Sequence, residues 1–262
     1  MDELLVAQAD GVATITFNRP EKHNAINLAM WEQFGRLMPS LAADDTVHAI
    51  LFRGAPGGPF SAGADISEFQ TLRSTPEQAE RYGEAVTGGE RAILTCPKPT
   101  VAMVEGFAIG GGAQVALACD LRLCSSGARF GITPAKLGIV YALPSTARLV
   151  DVVGPAWASW ILMTGDLVDA ATALRIGLVN EVCEDLEART QALLSTLTSR
   201  AQVSQLGAKA LIGRVLSGDR VEDDAVRRHY DASLHGPEYA EGVAAFLAKR
   251  DPDFRAARAA GR

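Results

Sequence analysis

Several things are scarce in this 262-residue chain, beginning with long apolar runs: no stretch approaches the roughly 20 residues needed to cross a bilayer. Its start, "MDELLVAQAD", is acidic and lacks the basic segment that opens a secretory leader. Together these absences predict a cytoplasmic protein with no membrane partner. Positive charge is short as well, with 25 Lys and Arg against 31 Asp and Glu, a net charge of −6. A broad basic field is what usually meets nucleic acid, so no nucleic-acid partner is expected. Only four cysteines occur, Cys96, Cys119, Cys124 and Cys183, without a CxxC pair or a histidine at metal spacing. They read as reduced, buried thiols, and no metal is expected. The four histidines lie in a polar loop (His23), beside a strand (His48) and on or after a polar helix (His229, His235); none is read as catalytic. Biased tracts are also missing, and 48% apolar with 21% charged residues is the composition of a globular chain.

Strand and helix patterns alternate through most of the chain. "LLVAQADGVATITFN" reads as two strands around an Asp10-Gly11 turn. "NLAMWEQFGRLMPSLAADD" carries Met30, Phe34, Leu37, Met38 and Leu41 at helical spacing, and "VHAILFRG" follows as a buried strand. "TPEQAERYGEAVTGGERAILTC" reads as helix with a break at Gly88-Gly89, "PKPTVAMVEG" leads into a strand, and "GGGAQVALACD" opens an apolar helix. "LRLCSS", "ARFGI" and "GLVNEV" read as short strands, separated by the helices "LPSTARLVDVVG" and "AWASWILMTG". This alternation predicts an α/β fold with mostly parallel pairing. From about Ala188 onward only helical patterns remain, which suggests a packing or oligomerisation region sharing the main core.

Two clusters of small residues carry the chemistry. "FSAGADISEF" places Ser61, Ala62, Gly63 and Ala64 between an apolar strand and an acidic helix start, where the backbone itself has to approach something closely. "EGFAIGGGAQVALACD" sets Gly110, Gly111 and Gly112 at a helix N-terminus, a place for an anion or oxyanion; the triplet also suits simple close packing. The Rossmann spacing G-x-G-x-x-G is absent, and no Lys-Ser/Thr follows to make a phosphate loop. Two such loops, each after a buried strand, would supply one N–H apiece to a single oxygen.

With "PKPTVAMVEGFAIGGGAQVALACDLRL", "FGITPAKLG" and "GLVNEV" in that order, and with "NRPEKHNAI" before and "EYAEGVAAFLAKRDPDF" after, nearly the whole chain resembles the crotonase (enoyl-CoA hydratase/isomerase) superfamily. The resemblance implies a ββα spiral core over 1–195 and a helical region over 196–262 that packs homotrimers or dimers of trimers. It implies an acyl-CoA thioester as ligand, with no separate cofactor because coenzyme A is part of the substrate. The thioester oxygen would be held by the amides of Ala64 and Gly111, each worth about 3 kcal/mol to an oxyanion. Lys22, Ala25 and the backbone from Ala62 through Asp65 to Ile66 would hold the pantetheine and adenine. Phe246 and Lys249 would reach the nucleotide of a neighbouring subunit, although Lys249 also reads as a solvated helix-end cation.

The chain departs from the family where hydration is carried out. Typical hydratases of the family place two glutamates around one water; the matching positions here are Gln114 and Pro134, and the acid of some isomerases falls at Ala142. Neither Gln nor Pro exchanges a proton with water or Cα, so efficient hydration is not expected. What remains is an oxyanion hole in an apolar, uncharged pocket, suited to a substrate that brings its own electrons. "FGITPAKLGIVYALPSTARL" resembles the methylmalonyl-CoA decarboxylase branch, which implies Tyr141 as a group that orients the carboxylate or protonates the enolate, or one that only lines the acyl pocket. Thr133 would bond the substrate carboxylate. The expected function is therefore decarboxylation of a small alkylmalonyl-CoA; the alternatives are an enoyl-CoA hydratase or isomerase with a non-standard base, and a silent acyl-CoA-binding member. Glu68, Glu84 and Glu90 are the remaining carboxylates near the pocket and are expected to be solvated helix residues, while Asp65 is expected to cap the helix it opens.

Overall fold

Asp10 and Gly11 both take positive φ (52° and 84°), which lets β1 (Leu4–Ala9) and β2 (Val12–Phe17) close as an antiparallel hairpin. The computed structural model describes residues 2–260; Met1, Gly261 and Arg262, at the ends of the two expected regions, lie outside the described residues. β2 alternates, burying Ala13, Ile15 and Phe17. The next strands, β3 (Ala49–Gly54) and β4 (Thr100–Val104), are almost continuously apolar, as strands buried on both faces must be. α1 (Leu28–Ala43) joins β2 to β3, capped by Asn27, whose side chain accepts from Met30 N–H at 3.0 Å. The expected stripe of Met30, Phe34, Met38 and Leu41 is buried, together with Trp31. Each such large side chain contributes about 1.5–3 kcal/mol by leaving water.

A short helix α2 (Phe69–Leu72) and the long α3 (Pro76–Leu94) fill the β3–β4 connection. The expected break at Gly88-Gly89 does not occur, and α3 runs straight through it. Gly89 is there for contact: a Cβ would stand 2.7 Å from Trp31 O, so its absence lets α1 and α3 touch. β5 (Phe107–Ile109), α4 (Gly111–Ala118), β6 (Leu121–Ser125) and β7 (Arg129–Gly131) follow. The two helices expected next are both present along α5 (Leu143–Thr164), which is broken where Gly154 leaves the helical region (φ 74°, ψ 165°) just before Pro155. The two-residue β8 (Val168–Asp169), α6 (Ala170–Arg175) and β9 (Glu181–Cys183) complete the sheets.

The larger sheet runs β1-β2-β3-β4-β6-β9 and is parallel apart from the first hairpin; β5-β7-β8 form a small second sheet. This is the α/β arrangement expected from the sequence. The tail consists of α7 (Leu186–Ser199), α8 (Gln202–Leu216), α9 (Asp224–Leu234), α10 (Pro237–Leu247) and α11 (Phe254–Ala260), with α7 and α8 separated by Arg200 and Ala201. Glu238 ties the tail together, accepting from Gln202 and Val203 N–H at 2.8 Å and from Arg258. His48 is buried against the same Arg258, a structural position. The four cysteines are buried and free. No helix among the described residues is long and apolar enough to cross a membrane.

Candidate active site

The loop Ser61–Asp65 is stitched to its surroundings on both sides. Ser61 N–H donates to Phe107 O and Ile109 N–H to Ser61 O, both at 3.0 Å, so the loop begins as a bridge to β5. Two residues later Ile26 N–H donates to Gly63 O at 2.7 Å and Asp65 N–H to Ile26 O at 3.0 Å. Ala64 lies between these contacts, and its own N–H donates to no group of the chain among the described residues. Gly63 makes the approach possible: its φ is 108°, and a Cβ there would stand 2.8 Å from Ile109 O.

The glycine triplet closes against this loop. A Cβ on Gly111 would lie 3.5 Å from Ala64 N, and one on Gly112 only 2.6 Å from Ser61 Cβ. Gly111 is the first residue of α4, and its N–H likewise finds no partner among the described residues, as the first amides of a helix do not. The two expected amides therefore stand side by side, free, at the positive end of a helix. Two donors so placed can together receive one oxyanion.

Both amides open onto a cavity of about 620 Å³. Of the expected site residues, Ala62, Ala64, Ile66, Gly111 and Gln114 line it, and so do Thr133, Pro134 and Tyr141. Lys22, Ala25, Asp65, Phe246 and Lys249 do not. Asp65 caps the turn it opens, accepting from Ser67 N–H at 3.2 Å, and pairs with Arg19 at 2.7 Å. Its carboxylate is thereby occupied. Lys22 sits on the exposed turn Pro20–Lys22 and its carbonyl accepts from the buried Ala25 at 3.0 Å. Phe246 is 83% exposed at the end of α10, and Lys249 follows it in the left-handed region.

The pocket is not uncharged as expected. Arg73, Glu84 and Lys136 also line it, with the Arg73 guanidinium stacked 4.4 Å above the Phe69 ring. The expectation of solvated carboxylates holds for Glu84, which is exposed, but not for Glu90. Glu84 borders the cavity, and Glu68 accepts from Leu28 N–H at 2.9 Å at the start of α1. Glu90, on α3, is only 4% exposed. Gln114 Nε2 donates to Glu90 Oε2 at 2.7 Å and to Ser145 Oγ at 2.8 Å, and Ser145 Oγ donates to the same carboxyl oxygen at 2.6 Å. Burial pushes the Glu90 carboxyl above its ordinary value of 4.5, against the opposing hydrogen bonds of Ser145 and Gln114. Both amide hydrogens of Gln114 are thus used on the protein side, so its carbonyl oxygen is what it offers the cavity.

Three buried donors on the cavity wall have no hydrogen-bond partner among the described residues: Trp31 Nε1, Tyr82 Oη and Tyr141 Oη. Buried polar groups are ordinarily bonded, so these three donors are available to acceptors that enter the cavity. Burial and the neighbouring Glu68 carboxylate push the Tyr82 phenol up to about 12. Burial also pushes the Tyr141 phenol up, with Glu90 adding to it. Sequence patterning does not single out Ser145 or Trp31 as site residues, and it places Glu90 in solvent. The one signal that bears on Glu90 is spacing: Tyr82, Gly89, Glu90 and Ile93 form one buried stripe of α3.

A pH dependence follows from Glu90. Its folded value lies above the unfolded one, so the folded state binds the extra proton and stability is lost as pH rises from 4.5 through the raised value. Glu90→Gln, which keeps the shape and the acceptor, is expected to remove that sloping limb and to melt no lower than the parent near neutral pH. Thermal denaturation between about pH 5 and pH 8 measures this.

The enoyl-CoA hydratase/isomerase family model matches residues 7–257. A probable enoyl-CoA hydratase of Mycobacterium leprae is 34% identical over 256 residues, covering 97% of this chain and 98% of that protein. A crotonyl-CoA hydratase of Syntrophomonas wolfei is 31% identical over 260 residues, with 97% and 98% covered. Among solved structures, an enoyl-CoA hydratase/carnithine racemase from Magnetospirillum magneticum superposes with a TM-score of 0.92 at 36% identity, over 97% of this chain and 96% of that one.

Proposed function

The chain belongs to the enoyl-CoA hydratase/isomerase family and has its crotonase-type α/β fold, and on that premise we propose that it is an acyl-CoA lyase that decarboxylates a small alkylmalonyl-CoA. The observation that carries this reading is the contrast between two free, adjacent amides and a neutral wall beside them: Gln114 is an amide held by Glu90 and Ser145, and Pro134 has no titratable group. Breaking the bond from Cα to the carboxylate releases CO2 and leaves its electron pair on Cα. The pair delocalises onto the thioester oxygen, where Ala64 and Gly111 N–H receive it. No base is needed, and the one proton required goes to Cα from the unpartnered Tyr141 hydroxyl. Thr133 orients the departing carboxylate.

Coenzyme A is held in this reading by Lys22, Ala25 and the loop backbone from Ala62 to Ile66. The exposed Phe246 and Lys249 serve the nucleotide of a neighbouring copy in a homotrimer or dimer of trimers, assembled through 196–262. A second reading is favoured by Glu90 itself: a carboxyl group one hydrogen bond behind Gln114 is a non-standard base for enoyl-CoA hydration or isomerisation, and the similar proteins carry hydratase names.

Parallel assays with methylmalonyl-CoA and crotonyl-CoA, following CO2 release and loss of enoyl-thioester absorbance, separate these readings. CO2 release with little hydration is expected. Tyr141→Phe is expected to lower turnover by about 10²-fold with KM nearly unchanged, the size of a lost general acid. Rapid hydration of crotonyl-CoA without CO2 would sink the decarboxylation reading, and inertness toward both substrates would leave a silent acyl-CoA binder.

A further inference from the structure

Breaking the bond from Cα to the carboxylate gives Glu90 no task. It sits on α3, outside the cavity lining, and among the described residues it forms no ion pair. The charged group that acts on it, Arg148 on α5, spends its guanidinium on Leu117 O at 2.7 Å and Cys119 O at 3.3 Å. α4 presents only the neutral Gln114, the segment leading into α5 presents Tyr141, and the first turn of α5 presents Ser145. From α1, Trp31 packs over the neighbouring Gly89. A carboxyl group buried in this way is costly, and an apolar side chain of similar volume would join α3 to α4 and α5 at less expense.

Its neighbours form a path to the cavity. Ser145 Oγ donates to Glu90 Oε2 at 2.6 Å, and Tyr141 Oη faces Ser145 with no completed hydrogen bond. Ser145 and Tyr141 both line the cavity. We propose that Glu90 is the proton store of this site, exchanging its carboxyl proton with the substrate's Cα through the Ser145 hydroxyl and the Tyr141 phenol.

In the forward direction the Tyr141 O–H bond breaks as the Cα–H bond forms. The Ser145 hydroxyl proton passes to the phenolate, and the Glu90 carboxyl proton passes to Ser145. One C–H bond is gained, one O–H bond of Glu90 is lost, and the remaining carboxylate regains a proton from solvent. Gln114 keeps both hydrogen bonds throughout and holds the acid and the hydroxyl in register. Run backwards, the same path takes a proton from Cα when Glu90 is ionised. The inference rests on an enolate held at Ala64 and Gly111, but not on which bond is broken to make it. Glu90 and Ser145 act through Tyr141 and are positioning residues in that sense.

The test uses the full chain and propionyl-CoA, a saturated thioester with no carboxylate to lose, incubated in D2O and followed by mass spectrometry for deuterium at Cα. The parent protein is expected to exchange, faster as pH rises through the raised Glu90 value because removal of the Cα proton needs Glu90 ionised. Glu90→Gln is expected to slow exchange at least tenfold and to flatten that pH profile, with thioester affinity unchanged; Glu90→Asp restores part of both. Ser145→Ala, which leaves the acid and the phenol in place, is expected to slow exchange by a similar factor. A parent protein that exchanges no deuterium overturns the proposal. So does a Glu90→Gln protein with the parent's rate and profile, or one that loses affinity in step with rate and is not rescued by Glu90→Asp. Glu90-dependent exchange without CO2 release from methylmalonyl-CoA would remove the decarboxylation reading and leave the proton store standing, and the converse pattern would do the reverse.

Discussion

Gly111→Pro is expected to lower turnover by about 10²–10³-fold, the loss of one preorganised donor to an oxyanion. The change is aimed at the amide alone. Gly111 opens α4, and proline is tolerated at the first position of a helix because that N–H has no intrahelical partner. Here the N–H has no partner elsewhere in the described chain either, so no structural hydrogen bond is lost. Crowding is the competing effect, since a Cβ at this position lies 3.1 Å from Trp31 Cζ2 and 3.5 Å from Ala64 N. Gly111→Ala brings the same Cβ and keeps the donor, so it separates the two contributions. The proline variant should lose far more turnover than the alanine variant, at comparable melting temperatures. Proline within threefold of alanine would remove this amide from the chemistry.

How much of this site is legible in the sequence depends on which atoms do the work. Where the main chain acts, the sequence has to supply glycine: Gly63, at φ 108°, and Gly111, beside Ala64, both stand out as members of small-residue runs. Gln114, Pro134 and Tyr141 are likewise legible because they sit at fixed offsets from recognisable motifs. Glu90 is not. A glutamate on a helix is usually solvated, and the adjacent Gly88-Gly89 pair suggests that the helix stops there. Tertiary packing overrides that propensity, because Gly89 is the contact point of α3 with Trp31. The strands β5 and β8, of three and two residues, are too short for any alternation to register. Phe246 and Lys249 stand outside the cavity of a single chain, and their expected role concerns a second copy.

Glu90 also changes what is expected of restoring the missing glutamates. Gln114→Glu alone replaces an amide nitrogen 2.7 Å from Glu90 Oε2 with an oxygen, and Ser145 loses the donor it accepts from. Two carboxylates about 4 Å apart repel by about 4 kcal/mol at an effective dielectric near 20, so the pair keeps one proton well above the ordinary carboxylate range. The folded state then binds a proton that the unfolded chain releases. The stability deficit of Gln114→Glu against the parent is therefore expected to grow as pH rises from about 5 to about 8, a trend thermal melts read directly. The activity of the Gln114→Glu, Pro134→Glu double variant should be limited by the same coupling, because the new carboxyl at 114 shares its proton with Glu90 and is not free to act on water. Adding Glu90→Gln reverses the order of acid and amide across that hydrogen bond, with the carboxyl now on the cavity wall and the amide behind it. Crotonyl-CoA hydration by this triple variant is expected to exceed that of the double variant by at least about 10²-fold, the contribution of a working acid–base group. Equal hydration rates with and without Glu90→Gln would show that the buried carboxyl exerts no hold on the residue in front of it.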